Sequence, residues 1–325
     1  MRSGSDVSQV LRALAKFATI FILIWFGLYE IQCSFPYLLT GADMVFQAKL
    51  REERTPHLFK QPGKTGLLFF GNSKALSGFV PEKFDSAMEA AGQPIESYNL
   101  GLPGYPYFVD RLATIFAAGN VPKYILITIP WTPDEHHSDI FHFVRHDSEL
   151  MNELFPFRAL ARDIVMASSA AMIAHGQLDY YETNRKIMAQ MITDRGYFFI
   201  YDPSKFPDGQ LPDDYKEASD EPTRVPERRE TTNEREFRKL NNLLDTYHVT
   251  CLIVPTYRRV GQFAQPPPIN QRLAAELASY PQVQLLGPDY ILFDNRYFSD
   301  RTHLNRAGAG LYTKYLADLV APHLH

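Results

Sequence analysis

Apolar residues recur along the chain in short unbroken runs, each stopped by glycine, proline or a polar cluster. Gly66-Leu67-Leu68-Phe69-Phe70 leads into Gly71-Asn72-Ser73, while Ile95 to Leu100, which carries Glu96, Ser97 and Asn99 between its apolar residues, is a second strand candidate closed by Gly101-Leu102-Pro103-Gly104. Tyr124 to Ile129 stops at Pro130, and Thr250 to Val254 and Val283 to Leu286 are further runs of the same kind. Runs this short, without polar alternation, predict strands buried on both faces. Between them the pattern takes a helical period over Pro81 to Ala91, Tyr107 to Ala118, Thr232 to Tyr247, Ile269 to Ser279 and Asn305 to Leu319. Pro81 suits the first turn of its helix, where its missing N–H would have had no partner. Strands alternating with helices predict an α/β fold around a mostly parallel sheet.

Two regions depart from this alternation. From about 131 to 235 the pattern loosens into an insertion. It holds predicted helices over Arg158 to His175 and Tyr181 to Ile192, and an aromatic strand or hairpin over Gly196 to Tyr201. A stretch dense in charge and proline, Pro207 to Glu230, reads as a solvated loop. The other departure is N-terminal, where Phe17 to Tyr29 is uninterrupted and apolar and extends back through Leu14 and Ala15. It is short against the ~20 residues of a spanning helix, but Lys16 can snorkel. Arg2, Arg12 and Lys16 precede the run, which predicts a cytoplasmic N-terminus and a chain otherwise outside the cytoplasmic membrane. A cleaved signal peptide and a helix buried in the fold are the alternatives, and no small-x-small cleavage site follows the run. The expected organisation is an anchor over 1–40, a stalk over 41–63 and a domain over 64–325 that carries the insertion.

Composition narrows the classes. The chain has 325 residues, 45% of them hydrophobic, which is enough for one large core. A net charge of -4 argues against a binder that relies on a strongly basic face, so no nucleic-acid partner is expected. Cys33 and Cys251 are far apart and no CxxC occurs, so they read as two ordinary thiols. No metal and no organic cofactor is expected.

In an open parallel sheet, ligands gather at the C-terminal ends of the strands. Ser73 follows the first run, Asn99-Leu100-Gly101 follows the second, and Asp300-Arg301-Thr302-His303-Leu304-Asn305 precedes the last helix. A serine hydroxyl is a poor nucleophile until a base takes its proton. A histidine serves best when a carboxylate fixes its tautomer. Asp300 and His303 are three apart, which lets the carboxylate reach the ring nitrogen facing away from the serine. The backbone N–H groups of Ser73 and Gly101 are candidate donors to a developing oxyanion. Asn72 and Asn99 flank them as candidate substrate contacts. Trp131, after the third run, is either a stacking ring for substrate or a packing residue. Tyr257, Arg258 and Arg259 follow Pro255 at the same end of the sheet. Tyr257 is a candidate substrate contact, and the two arginines either meet an anionic polymer or are exposed loop residues. His142 and His146, four apart beside Asp134-Glu135-His136-His137 and Asp139, have a spacing that suits a metal, but a polar rim or a solvated surface accounts for them too.

The order of these blocks resembles that of the SGNH hydrolases, the GDSL-like esterases. Gly71-Asn72-Ser73 matches the first block, with Asn where Asp is common; Asn99-Leu100-Gly101 matches the glycine block; Asp300-x-x-His303 with Leu304-Asn305 matches the last. The resemblance covers about residues 64 to 325 and leaves the insertion unexplained. It implies a three-layer α/β/α flavodoxin-like fold with Ser73 as nucleophile, His303 as base and Asp300 orienting it. One departure stands out. The family's third block supplies an asparagine to the oxyanion hole, whereas Pro130-Trp131-Thr132-Pro133-Asp134 offers none. A similar departure occurs in a membrane-anchored branch, which includes the D-alanine transfer proteins of teichoic acids and the alginate O-acetylation proteins. That resemblance implies an extracytoplasmic hydrolase or O-acyltransferase acting on an acylated exported polysaccharide or another ester. It also implies a membrane acyl-donor protein as partner. A simple lipase or esterase is one alternative. A membrane-tethered glycan-binding or scaffold protein with a weak triad is another.

Overall fold

The computed structural model describes residues 3–34, 44–45, 48–49, 52–53, 58–103, 108–128, 177–200, 204–225 and 234–324. The helices among them are α1 (Ser3–Ser34), α2 (Ser73–Gly78), α3 (Pro81–Ala90), α4 (Phe108–Ala117), α5 (Gln177–Thr193), α6 (Glu234–Tyr247), α7 (Gln271–Leu277) and α8 (Arg306–Val320). The strands are β1 (Thr65–Gly71), β2 (Ile95–Gly101), β3 (Tyr124–Thr128), β4 (Thr250–Val254), β5 (Thr256–Arg259), β6 (Val283–Leu285) and β7 (Tyr290–Phe293). The chain divides into two units, 1–47 with 136–187 and 48–135 with 188–325.

The first unit contains α1. Its stretch Ser8–Leu28, 21 residues, is long and apolar enough to cross a membrane, and none of it is buried. The span is longer than the apolar run from Phe17 because the helix continues back through Val10, Leu11 and Leu14, past Arg12 and Lys16.

The second unit is built on a five-stranded sheet in the order β2-β1-β3-β4-β6, with every pairing parallel. Its apolar runs bury both faces. Leu67, Phe69, Leu126, Leu252 and Val254 join one core with Phe79, Phe84 and Tyr312, and the alternate positions Leu68, Phe70, Ile125, Ile127 and Ile253 are equally buried. From β1 the chain steps to β2 on one side and then crosses to β3 on the other. The C-terminal ends of β1 and β3 therefore flank the point where the strand order reverses, the usual ligand crevice of such sheets. Helices α2, α3 and α8 pack together beside β1 and β2, and Phe116 of α4 meets Tyr247 of α6 edge-on at 5.2 Å.

The strands and helices predicted for the alternating core form within about two residues of their sequence limits, and the helix predicted from Tyr181 begins four residues earlier, at Gln177, while several readings need correction. The segment expected to be a free stalk is packed: Ala48, Lys49, Glu52 and Glu53 are buried. Lys49 Nζ donates to the carbonyls of Asn99 at 2.6 Å and Gly196 at 2.5 Å, with Glu52 at 3.4 Å. Burial pushes this ammonium down, against the opposing pull of Glu52 and Glu53. The strand expected from Gly196 is irregular backbone as far as Ile200. Its polar groups are taken elsewhere: Gly196 N donates to Met191 O, Tyr197 N to Asp194 O and Phe198 N to Leu76 O. Gly196 has φ +92 and a side chain there would strike Asn99 O at 2.0 Å, so this loop presses directly on β2 and covers its edge. The charged stretch is anchored where it is described, with Leu211 N donating to Phe298 O and Asp220 pairing with Arg259 at 2.8 Å. Tyr257 to Arg259, read as loop, forms β5 and pairs in parallel with β7. Cys251 is buried and free. The predicted helix Arg158 to His175, Trp131 and the histidines 136 to 146 lie outside the described residues.

Candidate active site

Strand β1 ends at Gly71, and Asn72 turns the chain into α2. The Asn72 side chain caps that helix by accepting from Lys74 N at 2.9 Å, an arrangement worth about 1 kcal/mol. Ser73 is the first helical residue, so its Oγ projects from the C-terminal end of β1, and its own backbone N–H is one of the first-turn donors that have no carbonyl partner within the helix.

A loop between two backbone contacts brings the other two groups. Phe298 and Leu304 form an isolated bridge, Ser299 N donates to His303 O at 2.9 Å, and Asn305 N donates to Tyr297 O at 2.8 Å. Within this loop Asp300 Oδ1 accepts the N–H groups of Thr302 at 2.7 Å and His303 at 2.8 Å. Its Oδ2 meets His303 Nδ1 at 2.7 Å. On the far side of the ring, His303 Nε2 lies 3.0 Å from Ser73 Oγ. A neutral ring that donates Nδ1–H to Asp300 leaves Nε2 as the acceptor for the serine proton. The chain thus joins three groups across 230 positions into one hydrogen-bonded relay.

The electrostatics agree with that polarity. Burial pushes the Asp300 carboxyl up, but the His303 ring and the N–H groups of Thr302 and His303 outweigh it and hold the carboxyl at about 2. It is therefore an anion at neutral pH, able to fix the ring and to stabilise an imidazolium. The Asp300 and His303 side chains are 20% and 16% exposed, enclosed but reachable. Lys74, next to the serine, is half-buried, and desolvation together with Arg258 and Arg259 pulls its ammonium down to about 7 despite Asp300. Its Nζ donates to Tyr257 O at 2.9 Å and sits 5.1 Å from the centre of the Tyr257 ring.

The remaining sequence candidates divide. Gly101 does not offer a free donor: its N–H donates to Asn99 Oδ1 at 2.9 Å. A side chain at Gly101 would strike Leu76 N at 2.2 Å, so the glycine is required by the close approach of α2 rather than by a substrate. Asn99 is fully buried and is no substrate contact. Its Nδ2 reaches the carbonyls of Ala75 at 2.9 Å, Leu76 at 3.1 Å and Phe79 at 2.7 Å, which ties the C-terminal end of α2 to β2. Tyr257 is fully buried as well. Its hydroxyl donates to Lys74 O at 3.1 Å and lies 3.3 Å from Ser77 Oγ, and its ring packs edge-on against Tyr312. Asn72 acts through its cap. Trp131 lies outside the described residues.

Sequence reasoning passed over the residues that hold this geometry. Lys49 presses on the Asn99 carbonyl from 50 positions away, and Thr302 Oγ1 lies 3.2 Å from His303 Nδ1 and 3.1 Å from Asp300 Oδ1. For Thr302 a local signal existed, since a hydroxyl two residues beyond an aspartate readily joins its turn. For Lys49 none did. No group of three or more His, Cys, Asp or Glu side chains able to hold a metal occurs among the described residues.

No family model matches the chain, and no curated protein or solved structure matches it significantly.

Proposed function

We propose that this chain is a membrane-tethered serine acyl-ester hydrolase or O-acyltransferase of the SGNH type, acting outside the cytoplasm on an exported polysaccharide. The observation that carries the reading is the continuous relay Asp300–His303–Ser73, at 2.7 Å and 3.0 Å. The strand order β2-β1-β3-β4-β6 and the burial of both sheet faces support the three-layer SGNH fold. The apolar helix α1 supports the tether.

In this reading Ser73 Oγ attacks the acyl carbon while His303 Nε2 takes its proton. Asp300 remains ionised and stabilises the imidazolium. The tetrahedral oxyanion falls to the backbone N–H of Ser73. Collapse expels the alcohol, which leaves with the proton returned from Nε2, and an acyl-serine remains. Water or a sugar hydroxyl then attacks it, with Nε2 again as base. Which acceptor prevails is the test of the functional class. With a chromogenic acetyl ester as donor, the transferase reading predicts acetyl on an added polysaccharide oligomer in preference to free acetate. Acetate alone, at every oligomer concentration, would leave only the hydrolase.

The engaged N–H of Gly101 favours a second reading, a tethered glycan-binding protein with a weak triad. Loss of one oxyanion donor costs about 3–4 kcal/mol of transition-state stabilisation. The two readings differ in whether Ser73 is reactive at all.

A further inference from the structure

Strand β5 touches both halves of the relay. Side chains two apart on a strand share a face. On one face of β5, Tyr257 meets α2, where its hydroxyl donates to Lys74 O at 3.1 Å, next to Ser73. Two residues on, Arg259 meets the other half. Its Nε donates to Arg301 O at 3.2 Å, inside the segment that runs from Asp300 to His303. A single strand face therefore reaches the helix that carries the nucleophile and the loop that carries the base. The bonds within the loop, from Asp300 to the N–H groups of Thr302 and His303, fix its shape. Its distance from Ser73 is left to contacts made from outside.

Arg259 suits that task. Expected in an exposed loop or against an anionic polymer, its side chain is 1% exposed. Its Nη2 donates to Asp220 Oδ1 at 2.8 Å, and its guanidinium lies 5.0 Å from the centre of the Tyr215 ring. Stacking fixes the plane of the fork, and the fork sends Nε and Nη2 to separate acceptors. Asp220 is itself held. Its Oδ2 accepts Glu217 N at 2.9 Å, and the Tyr215 hydroxyl donates to Glu217. The same stretch is pinned to the flank of the triad loop. Asn295 Nδ2 donates to the carbonyls of Asp213 at 2.9 Å and Tyr215 at 3.0 Å, and Leu211 N donates to Phe298 O at 2.9 Å. A buried ion pair adds little net stability, because desolvation offsets its attraction. What this one supplies is a guanidinium with a fixed direction.

We propose that Arg259, seated by Asp220 and Tyr215, is a positioning residue for the acyl-serine chemistry: it holds the Arg301 carbonyl so that His303 stays within reach of Ser73. The charged stretch of the insertion then serves the reaction through Asp220, which acts on the base's loop by way of Arg259. The role rests on the Ser73–His303–Asp300 reading of the site. Misplacement of a reacting group by about 1 Å costs about 100-fold in rate, so a slackened loop has a large kinetic effect.

The test compares the full-length parent with Arg259→Met, Asp220→Asn and the double variant, in detergent, on an activated acetyl ester, well below each melting transition. Arg259→Met keeps an apolar stem and removes the fork. Its kcat is expected to fall about 10- to 100-fold, with KM within about two-fold of the parent. Asp220→Asn keeps the shape and removes the charge, and its kcat is expected to fall about three-fold or more, again without a change in KM. The double variant is expected to be no slower than Arg259→Met alone, because Asp220 acts through Arg259. A general loss of folded protein would lower the active fraction in all assays and give no such dependence between the two sites. Parental kcat in folded Arg259→Met, a rise in KM with kcat unchanged, or losses that multiply in the double variant overturns the role. If Arg259→Met does not fold, Asp220→Asn decides, and parental kcat there overturns it. Ser73→Ala separates the two failures. A parent without Ser73-dependent turnover brings down the triad and this role with it, whereas an active parent matched by its Arg259 and Asp220 variants brings down this role alone.

Discussion

Alanine in place of His303 should lower kcat on an activated acetyl ester by about 10^4-fold or more, with the melting temperature within a few degrees of the parent. The size follows from the relay. Without Nε2 at 3.0 Å, the Ser73 hydroxyl keeps its proton at neutral pH, and the leaving alcohol has no acid to protonate it. Asp300 cannot substitute, because its carboxylate lies on the far side of the ring from Ser73. The fold should survive because the loop is closed by backbone bonds at Ser299 and Asn305, and neither involves the imidazole. Steady-state kinetics on the purified full-length protein checks this. A loss smaller than ten-fold in a folded variant would remove His303 from the mechanism.

The largest stability effect should come from Asn99→Leu. The side chain is fully buried and holds the carbonyls of Ala75, Leu76 and Phe79 as well as the N–H of Gly101. Leucine fills similar space but satisfies none of them. Ala75 O and Leu76 O keep backbone partners in Phe79 N and Phe198 N, so the loss falls on Phe79 O and the Gly101 N–H; at about 1–3 kcal/mol for each buried polar group left without a partner, a total of about 2–6 kcal/mol is expected. For a domain of this size that corresponds to a fall in melting temperature of roughly 10 °C. Activity should fall with it even below the transition, because the same bonds aim α2 and therefore Ser73. Circular dichroism melts of parent and variant in the same detergent measure the effect, and a shift of under about 2 °C would contradict the role given to Asn99.

These two residues mark how far the sequence could be read. The Asp300–His303 pairing was legible because it is local. Asp300 Oδ1 closes on the N–H groups two and three residues ahead, so the spacing itself carries the geometry. Ser73 was legible through topology, since a serine at the end of the first parallel strand and a histidine before the last helix both fall at the carboxyl edge of the sheet. The Asn99–Gly101 block was found for the wrong reason. Both residues matter, but their partners are Leu76 and its neighbours in α2, more than 20 positions away. A glycine demanded by a neighbouring helix and a glycine demanded by a substrate leave the same letter in the sequence. Tyr257 failed as a substrate contact on similar grounds: β5 follows β4 after the single residue Pro255, and its pairing with β7 turns the ring inward. Lys49 was invisible altogether, because a polar segment gives no sign that one of its lysines will be buried against two carbonyls.

A fluorophosphonate probe reads directly whether Ser73 is an activated nucleophile. Incubated with the folded full-length protein and followed by peptide mass spectrometry, the probe is predicted to leave one phosphonyl adduct, on Ser73. His303→Ala should slow the labelling severely and Ser73→Ala should abolish it. No adduct on Ser73 in folded protein, or an adduct that persists unchanged in Ser73→Ala, would contradict the account.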